Sequence, residues 1–470
     1  MRSTLQKIGL LTAGLLAGIF ISLNFSASAG KGAVESVLPI EDLRSFADVY
    51  GAIKQGYVEP VDDKTLITHA ISGMLANLDP HSAYLDAEAF KEMQVTTQGE
   101  FGGLGLEVGM EDGLVKVISP IEDTPAFKAG LKPGDLIIKL DDTLVKGLTL
   151  TDAVKKMRGK PKTQIRLTVF RKGEAKPFEV TLTREKIKVQ SVKSKSLEGG
   201  YGYLRITQFQ DETNADVVKH LDKLVKQEKD GLKGLVLDLR NDPGGLLTSA
   251  IGVSAAFLPP KTLVTSTEGR TEDARRQFIS SPEDYLRGGR DDYMKNLPAQ
   301  VKTVPMIVLV NGGSASASEI VAGALQDHKR AIIMGTQTFG KGSVQTVLPL
   351  SNNTAIKLTT ARYYTPSGRS IQAKGITPDI VVEETANGEA RDRVREADLE
   401  RHLENGKSTD VKTESKLDKS EDKPRTKNGK KNKTDEEEDA VRAPIEFASK
   451  DDYQLSQAVN LLKALQILKR

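Results

Sequence analysis

A strand-to-helix corner rich in serine constrains this chain more than any other stretch. Residues 304–310 form an apolar run typical of a buried strand, which stops at Asn311-Gly-Gly, and residues 317–326 have the composition of a helix. A serine at such a corner is held out of the sheet at the positive end of the helix. Unpaired backbone N–H groups at that end can stabilise an oxyanion. The corner therefore suits a nucleophile, although serine also caps helices routinely.

A lysine in the stretch Thr338-Phe-Gly-Lys-Gly-Ser-Val-Gln345 offers a base for such a nucleophile. Histidine is the usual base, but the chain has only five histidines and none lies in a recognisable catalytic setting. Lysine can replace it when burial lowers its ordinary pKa of about 10.4 by roughly three units. The small or apolar neighbours of Lys341 suit a desolvated amine, although a solvated turn lysine is the commoner outcome in a glycine-rich loop.

The same stretch nearly matches a nucleotide-binding loop. Residues 335–342 fit the phosphate-binding pattern until its last position, where Gly342 replaces the serine or threonine that binds magnesium. A helix should follow such a loop, yet residues 344–350 are apolar and β-branched. We therefore expect a strand here and no phosphate site.

The two motifs together, Ser314-Ala-Ser-Ala-Ser-Glu319 and Thr338 to Gln345, resemble those of the carboxy-terminal processing proteases, serine–lysine peptidases that carry a PDZ domain. The resemblance spans roughly residues 40–385. It implies that Ser316 is the nucleophile, Lys341 the general base and Gln345 the residue that orients the lysine. Since four residues of a straight strand span about 13 Å, a contact between Lys341 and Gln345 requires a coiled or helical turn.

A second strand–glycine–helix corner lies at Asp238-Leu-Arg-Asn-Asp-Pro-Gly-Gly245. By itself this stretch is most simply a tight turn. The resemblance assigns Gly244 and Gly245 to the oxyanion hole, without separating the two, together with the N–H of Ala317. Strands and helices alternate from residue 201 onward, which predicts an α/β protease core at residues 187–385. In the family this core is crotonase-like.

Residues 96–186 have the pattern of a small module that resembles a PDZ domain. Strand-like runs at residues 103–108 and 114–118 precede Ala129-Gly-Leu-Lys-Pro-Gly-Asp-Leu-Ile137 and a helical run. PDZ domains add an extended C-terminus to a sheet edge, and the amides of a glycine loop hold its carboxylate. The expected binding loop consists of Gly102, Gly103, Leu104, Gly105 and Leu106.

The first 29 residues have the features of an export signal. A basic start is followed by an almost uncharged apolar segment and by Ala27-Ser-Ala29. The segment is either a cleaved signal peptide or an anchor in the inner membrane, and both place the remainder in the periplasm. Residues 38–95 have helical spacing, and the resemblance implies a dimerisation element there. Residues 70–95 are also a candidate part of the protease core.

The C-terminal part departs from the compact pattern. Residues 386–450 are charged and poor in apolar groups, so we expect a low-complexity tail that is partly disordered, with a short helix near residues 390–403. Residues 265–300 lack periodicity and are expected to run over the surface. Residues 451–470 predict a C-terminal helix that packs on the body or on a second subunit.

Composition narrows the function classes. A net charge of +3 gives no sign of nucleic-acid binding, and the absence of cysteine excludes disulfides, thiol catalysis and thiolate metal sites. The acyl transfer implied by the resemblance needs no metal and no cofactor.

The resulting expectation is a multidomain α/β protein with a crotonase-like protease core, an inserted PDZ-like domain, a helical N-terminal region and a partly disordered tail. It would cleave envelope proteins and peptides at or near their C-termini, with the PDZ domain recognising substrate ends or gating activity. The resemblance implies a dimer-based homo-oligomer and leaves room for an adaptor protein. The alternative is a PDZ-containing scaffold of the cell envelope whose protease fold is inert.

Overall fold

The computed structural model describes residues 39–121, 123–228, 230–288, 291–387, 393–405 and 447–468. The export signal and most of the charged tail lie outside these ranges. The chain divides into two compact units between Ala70 and Ile71. None of the described helices combines the length and the apolar character that a membrane span needs.

The described helices are numbered along the chain: α1 (Ile40–Gly56), α2 (Asp63–Ala76), α3 (Ala87–Gln98), α4 (Pro125–Lys128), α5 (Leu150–Met157), α6 (Thr213–Gln227), α7 (Leu247–Phe257), α8 (Pro282–Tyr285), α9 (Ala317–Asp327) and α10 (Tyr453–Leu468). Short 3-10 turns lie at Tyr293–Asn296, Ala299–Lys302, Ser351–Asn353 and Glu396–Asp398.

The described strands are β1 (Ala83–Leu85), β2 (Glu100–Gly103), β3 (Leu106–Glu111), β4 (Leu114–Pro120), β5 (Leu136–Leu140), β6 (Thr143–Leu144), β7 (Gln164–Phe170), β8 (Phe178–Thr183), β9 (Glu185–Lys188), β10 (Val192–Leu197), β11 (Tyr201–Ile206), β12 (Gly234–Asp238), β13 (Leu263–Gly269), β14 (Arg276–Ile279), β15 (Met306–Val310), β16 (Ile332–Gly335), β17 (Ser343–Pro349), β18 (Ala355–Tyr364) and β19 (Ile380–Val381).

The first unit consists of α1 and the start of α2. No residue of α1 is buried, and its apolar side chains Leu43, Phe46 and Val49 are exposed. The Tyr50 hydroxyl donates a 2.6 Å hydrogen bond to Asp63 and links the two helices. The helical spacing of this region was thus correctly predicted from the sequence.

The second unit is built on a sheet with strand order β10-β11-β12-β15-β16-β19. The β10–β11 pair is antiparallel, and every other neighbouring pair is parallel. Every residue of β12 and β15 is buried, because helices cover both faces of a sheet of this kind. The helices α6, α7 and α9 pack on one face, and α10 packs on the other.

A second sheet has the order β1-β18-β13-β14, and β17 also pairs with β18. It includes residues 265–269 and 276–279 of the region 265–300 that we expected to run over the surface, and that expectation was wrong for β13, where Thr265 and Thr267 are buried. The two threonines of β13 can be buried because their hydroxyl groups find partners: Thr265 donates to the Tyr364 carbonyl and Thr267 to the Ala274 carbonyl. Hydrophobic periodicity therefore underestimates this strand.

The PDZ-like module has a sheet of its own with order β3-β4-β5-β7-β8 and β6 beside β5. Its core is separate from that of the α/β sheet and includes Val115, Ile137 and Leu167. The two-stranded ribbon of β2 and β9 joins the points where the chain enters and leaves the module. The strand β3 lies at the edge of the sheet.

The charged region after residue 386 contains an ordered segment at residues 393–405. It forms one 3-10 turn, Glu396–Asp398, rather than the helix that we expected near residues 390–403. Glu396 is buried and accepts a 2.8 Å hydrogen bond from Gln372, and it faces His81 Nε2 at 2.8 Å. A polar network thus holds this segment, which composition does not predict.

The helix α10 packs on the body of the protein through Leu455, Ala458 and Leu462. Leu468, at the end of this predicted helix, is 81% exposed. The second unit is therefore a mixed α/β body with an inserted PDZ-like module.

Candidate active site

Three loops of the α/β sheet converge on one cleft. They follow β12, β15 and β16, which are adjacent parallel strands, so that their carboxyl ends share one edge of the sheet. Ligands of open α/β sheets bind at this edge. The structure brings the following predicted residues together around a cleft of about 500 Å³: Gly244, Gly245, Ser316, Lys341 and Gln345.

Of the three alternating serines, only Ser316 opens into this cleft. The Ser314 hydroxyl is buried and donates to the Leu239 carbonyl, and the Ser318 hydroxyl is buried and donates to the Asp242 carbonyl. Ser316 caps α9 with φ 55° and ψ −109°, a conformation that costs energy for any residue other than glycine. The strained corner therefore directs Ser316 into the cleft, whereas the hydroxyl groups of Ser314 and Ser318 form structural hydrogen bonds.

A buried carboxylate joins the serine corner to the lysine loop. Glu319, one turn into α9, accepts hydrogen bonds from the N–H groups of Ser316, Gly340 and Lys341 at 2.8, 2.7 and 2.9 Å. It also accepts the Thr338 hydroxyl at 2.5 Å. Burial raises the pKa of Glu319 to about 7, although these four donors oppose the shift. The sequence interpretation missed this residue, although Ser316-Ala-Ser-Glu319 matches a capping box.

Lys341 lies in a loop held closely against the chain that follows β18. A Cβ on Gly342 would lie 2.3 Å from the Gln372 N atom, so that no side chain fits there. Burial lowers the pKa of Lys341, and the positive charge of Lys357 lowers it further, against the opposing carboxylates of Glu396, Glu319 and Asp79. Among the described residues, Lys341 Nζ has no hydrogen-bond partner.

The two glycines of the second corner differ in how their N–H groups are used. The Gly244 N–H donates to Asp242 Oδ1 at 2.8 Å, whereas the Gly245 N–H has no partner among the described residues. The N–H of Ala317, at the start of α9, also lacks a partner within the described chain. A Cβ on Gly244 would lie 2.9 Å from the Ala317 N atom, so the two corners touch directly.

Gln345 lies on β17 and not in the turn that a contact with Lys341 was expected to require. Its side-chain amide donates to Ser343 Oγ at 2.9 Å and to Thr359 Oγ1 at 3.4 Å. No hydrogen bond to Lys341 is formed between these described residues. The expected turn is replaced by a strand that begins at Ser343, two residues after the lysine, with a bulge at Val344 and Gln345.

Two side chains of β18 also line the cleft and were not predicted from the sequence. Tyr363 is buried, and burial raises the pKa of its hydroxyl, against the Ser316 hydroxyl, which lowers it, so that Tyr363 stays a phenol. Lys357 lies on the same strand, six residues earlier. A bulge lies between these two positions of β18 and interrupts the alternation of side chains, so alternation along the strand could not have predicted both residues.

The cleft continues into a groove along α3. A neighbouring cavity of about 790 Å³ shares with the cleft the side chains of Met93, Thr97, Leu246, Arg287 and Val347. Together the two cavities form an open channel beside Ser316 with both polar and apolar side chains in its walls, a shape that suits an extended peptide.

The expected carboxylate loop of the PDZ-like module is shorter than the sequence indicated. Gly102 and Gly103 belong to β2, where they pair with Lys186 and Glu185 of β9. Leu104, which is buried, and Gly105 form the turn into β3, which begins at Leu106. The N–H groups of Leu104 and Gly105 have no partner among the described residues.

Three family models match this chain. The model of peptidase family S41 matches residues 200–382, that of the PDZ domain matches residues 102–182, and that of the activating protease CtpB N-terminal domain matches residues 22–89.

The relatives agree with these matches. A carboxy-terminal-processing protease of Bartonella bacilliformis is 49% identical over 373 residues, which cover 78% of this chain and 82% of the relative. A probable CtpA-like serine protease of Staphylococcus aureus (strain COL) is 37% identical over 344 residues, 73% of this chain and 65% of that protein. A solved structure of a photosystem II D1 C-terminal processing protease is 31% identical, covering 72% of this chain and 87% of that chain, with a TM-score of 0.40. The chain therefore belongs to peptidase family S41, as a serine-type carboxy-terminal processing protease with a PDZ domain.

Proposed function

We propose that the protein is an exported endopeptidase in which Ser316 is the nucleophile and Lys341 its general base. The observation that carries this proposal is the common cleft of the Ser316 hydroxyl and the Lys341 side chain, together with the two N–H groups, of Gly245 and Ala317, that lack partners within the described chain. A nucleophile, a base with a lowered pKa and two donors for an oxyanion are the parts that acyl transfer requires.

In the proposed reaction the neutral amine of Lys341 takes the proton of Ser316 Oγ while Oγ attacks the scissile carbonyl carbon. The carbonyl oxygen becomes an oxyanion that the N–H groups of Gly245 and Ala317 stabilise. Lys341 then gives the proton to the leaving amine, and an acyl-enzyme ester remains on Ser316. A water molecule that loses its proton to Lys341 attacks the ester carbonyl carbon, and Lys341 returns the proton to Ser316 Oγ as the bond to the carboxylic acid product breaks.

Gln345 has a consistent role in this scheme. Its Nε2 atom donates to Ser343 and Thr359, but its Oε1 atom accepts no hydrogen bond within the described residues. We assign to Oε1 the acceptance of a hydrogen bond from Lys341 Nζ when substrate is bound. Catalytic hydrogen bonds are often long in a free enzyme and shorten in the complex.

We assign to the PDZ domain either the recognition of substrate C-termini or the control of access to the cleft. The edge strand β3 can add a peptide strand, and the free N–H groups of Leu104 and Gly105 can receive a terminal carboxylate. This supports cleavage at or near the C-termini of extracytoplasmic proteins, with residues 1–29 as the export signal or anchor. The exposed apolar side chains of α1 support a homo-oligomer formed through residues 38–95, and an adaptor protein would be a further partner.

The test is the activity of three variants of the full chain on a peptide substrate. We expect Ser316→Ala, Lys341→Ala and Lys341→Arg each to lower kcat by about a thousandfold or more, because nucleophile and base act as a unit and a guanidinium cannot release its proton. Gln345→Ala should be impaired less. Lys295→Ala removes an exposed amine outside the cleft and should keep the full rate.

A fluorophosphonate label provides the second measurement. It should react with Ser316 in the unmodified chain and not in Ser316→Ala. Substantial turnover by Lys341→Arg would refute the general-base role. A chain that neither cleaves peptides nor accepts the label would instead be an inert scaffold with a PDZ domain.

A further inference from the structure

Lys357, on β18, is a second lysine that lines the cleft. In the β17–β18 ladder Val347 lies opposite Lys357 and Gln345 lies opposite Thr359. Residues that pair across neighbouring strands lie on the same face of a sheet, and so do residues two positions apart along one strand. Gln345, Val347 and Lys357 all line the cleft, as does Lys341 at the entry to β17. The register thus accounts for Lys357 in the cleft, and both lysines line the same cavity as Ser316.

The carboxylates around Lys341 are each occupied by other donors. Glu319 accepts three backbone N–H groups and a hydroxyl. Glu396 faces His81 and Gln372.

Asp79, the third carboxylate that acts on Lys341, has a comparable set of partners. It accepts the N–H groups of His81 and Ser82 and the hydroxyl groups of Ser82 and Thr359. None of the three carboxylates is hydrogen-bonded to the side-chain amine of either lysine within the described chain.

The side-chain amine of Lys357 has no salt-bridge or hydrogen-bond partner in the described part of the chain, whereas its backbone pairs with β1 and β17. The other cation that lines the cleft, Arg287, faces the carboxylate of Asp211 at 3.6 Å. Lys357 is therefore a cation in a partly enclosed site, and no carboxylate of the described chain is paired with it. Two like charges in such a site disfavour each other, and the more desolvated group loses its proton first.

We propose that Lys357 acts through Lys341, as a second cation in the cleft that keeps the amine of Lys341 unprotonated and able to take the Ser316 proton. This inference rests on the proposed role of Lys341 as general base and adds to it a positioning residue that sets the proton state of the base. The direction agrees with the lowered pKa of Lys341, to which Lys357 contributes after burial.

The test compares kcat and KM across roughly pH 5.5 to 10 for the full chain and its variants, with a reporter peptide that carries no carboxylate near the cleaved bond. In Lys357→Met we expect the acidic limb of the kcat profile to move up by about one pH unit, which is about a tenfold loss on that limb that disappears on the alkaline plateau. KM should not change. Lys357→Arg keeps the positive charge and should keep the original profile.

The matched control is Lys193→Met, which removes a lysine charge from an exposed position on β10 outside the cleft. It should leave the profile in place. A Lys357→Met profile that superimposes on that of the unmodified chain, or that is lowered equally at every pH, would overturn the inference. A rise in KM confined to peptides with an acidic residue would also overturn it, because Lys357 would then bind substrate.

The outcome for the proposed function is separate. If Lys341→Arg is inactive while Lys357→Met keeps the original pH profile, the general base stands and the role of Lys357 fails. If Lys341→Arg is active, the general-base role itself fails.

Discussion

Glu319 shows at the scale of one residue how the site is held together. Four donors point at its two oxygens, and only an ionised carboxylate can accept all of them, since a protonated acid or an amide would present a hydrogen to one donor. The strained Ser316 corner and the Lys341 loop are therefore fixed to one buried group. Leaving such donors unsatisfied in a buried place costs about 1–3 kcal/mol each, which makes the pair of loops one rigid unit.

Asp242 is also a buried acid but, unlike Glu319, it has too few hydrogen-bond donors to favour the ionised form. Its Oδ2 atom is buried without a hydrogen-bond partner in the described residues, and burial raises the pKa of Asp242 to about 8. The unfolded pKa is about 3.9, so the folded state binds an additional proton between these values and stability falls as pH rises through that window. We expect Asp242→Asn to be more stable than the unmodified chain at pH 8, by on the order of a few kcal/mol, with a gain that vanishes towards about pH 4.

The measurement is the unfolding midpoint of the protease core as a function of pH, with Asp327→Asn as control. Burial opposes the ionisation of Asp327, but hydrogen bonds from Thr365 and Ser367 and the Arg369 guanidinium hold its pKa below the usual value. A lowered acid pKa contributes stability above the unfolded pKa that is lost as pH falls. Asp327→Asn should therefore be destabilising at pH 8 and less so in acid. Equal pH dependence of the two variants would contradict the assignment of Asp242 as a neutral acid.

At the scale of the element, the serine corner was predictable from the sequence because it rests on local chemistry. An apolar run gave β15, a helix-forming run gave α9, and the β-branched residues after Gly342 gave β17 rather than the helix of a phosphate-binding loop. Each of these depends on hydrophobic periodicity and propensity within one segment.

The elements that were wrongly predicted depend on contacts distant in sequence. Glu396 is buried because His81 and Gln372 are there to meet it, which the composition of residues 386–450 does not indicate. The Lys341–Gln345 turn was expected from the pairing of two functional residues, whereas the partner strand β18 decides the conformation of β17. Which of the Gly244 and Gly245 N–H groups lacks a partner among the described residues likewise depends on the position of the Asp242 carboxylate.

A buried network of charged residues attaches the helix α10 to the core, and a single substitution can disrupt it. The Arg240 guanidinium donates to Asp238 and, at 2.9 and 2.6 Å, to both oxygens of Asp452, just before α10. Removal of one partner leaves a buried charge undercompensated. We therefore expect Asp452→Ala to destabilise the protein by about 3 kcal/mol and to raise hydrogen exchange in α10 first.

The control for this element is Lys463→Ala on the exposed face of α10, which should change stability by no more than about 0.5 kcal/mol. Because Arg240 lies only a few residues before Gly245, release of Asp452 also tests whether the oxyanion corner depends on the helix. Unchanged protection of residues 455–462 from exchange in Asp452→Ala would show that apolar packing alone retains α10.

At the scale of the whole second unit, the PDZ domain and the cleft are joined through α3. This helix lines the cleft with Met93 and Thr97, and the chain then passes through Gly99 into β2 of the ribbon that enters the domain. The Thr97 carbonyl also accepts the Asp211 N–H of the protease core. A peptide end bound at β3 is therefore connected to the cleft by one helix and one ribbon.

We expect the terminus of a substrate to change its rate of cleavage. The comparison is kcat/KM for three peptides with one cleavage sequence and a free apolar end, an amidated apolar end or a free acidic end. The free apolar end should be cleaved fastest, because the N–H groups of Leu104 and Gly105 can receive its carboxylate and Leu106 can contact its last side chain. An acidic side chain would be buried there without a partner, at a cost of several kcal/mol if fully desolvated.

The variant that tests this docking site is Leu106→Glu, which places a negative charge at the start of β3 beside the expected carboxylate. Met110→Glu adds the same charge on the same strand at a position that is 41% exposed and four residues from the loop. Docking by the terminus predicts that Leu106→Glu abolishes the preference for the free apolar end while Met110→Glu retains it. Both should still cleave the amidated peptide at its original rate, because neither residue lines the cleft. If the unmodified enzyme cleaves all three peptides equally, the domain does not select by terminus, and control of access to the cleft through α3 becomes its remaining role.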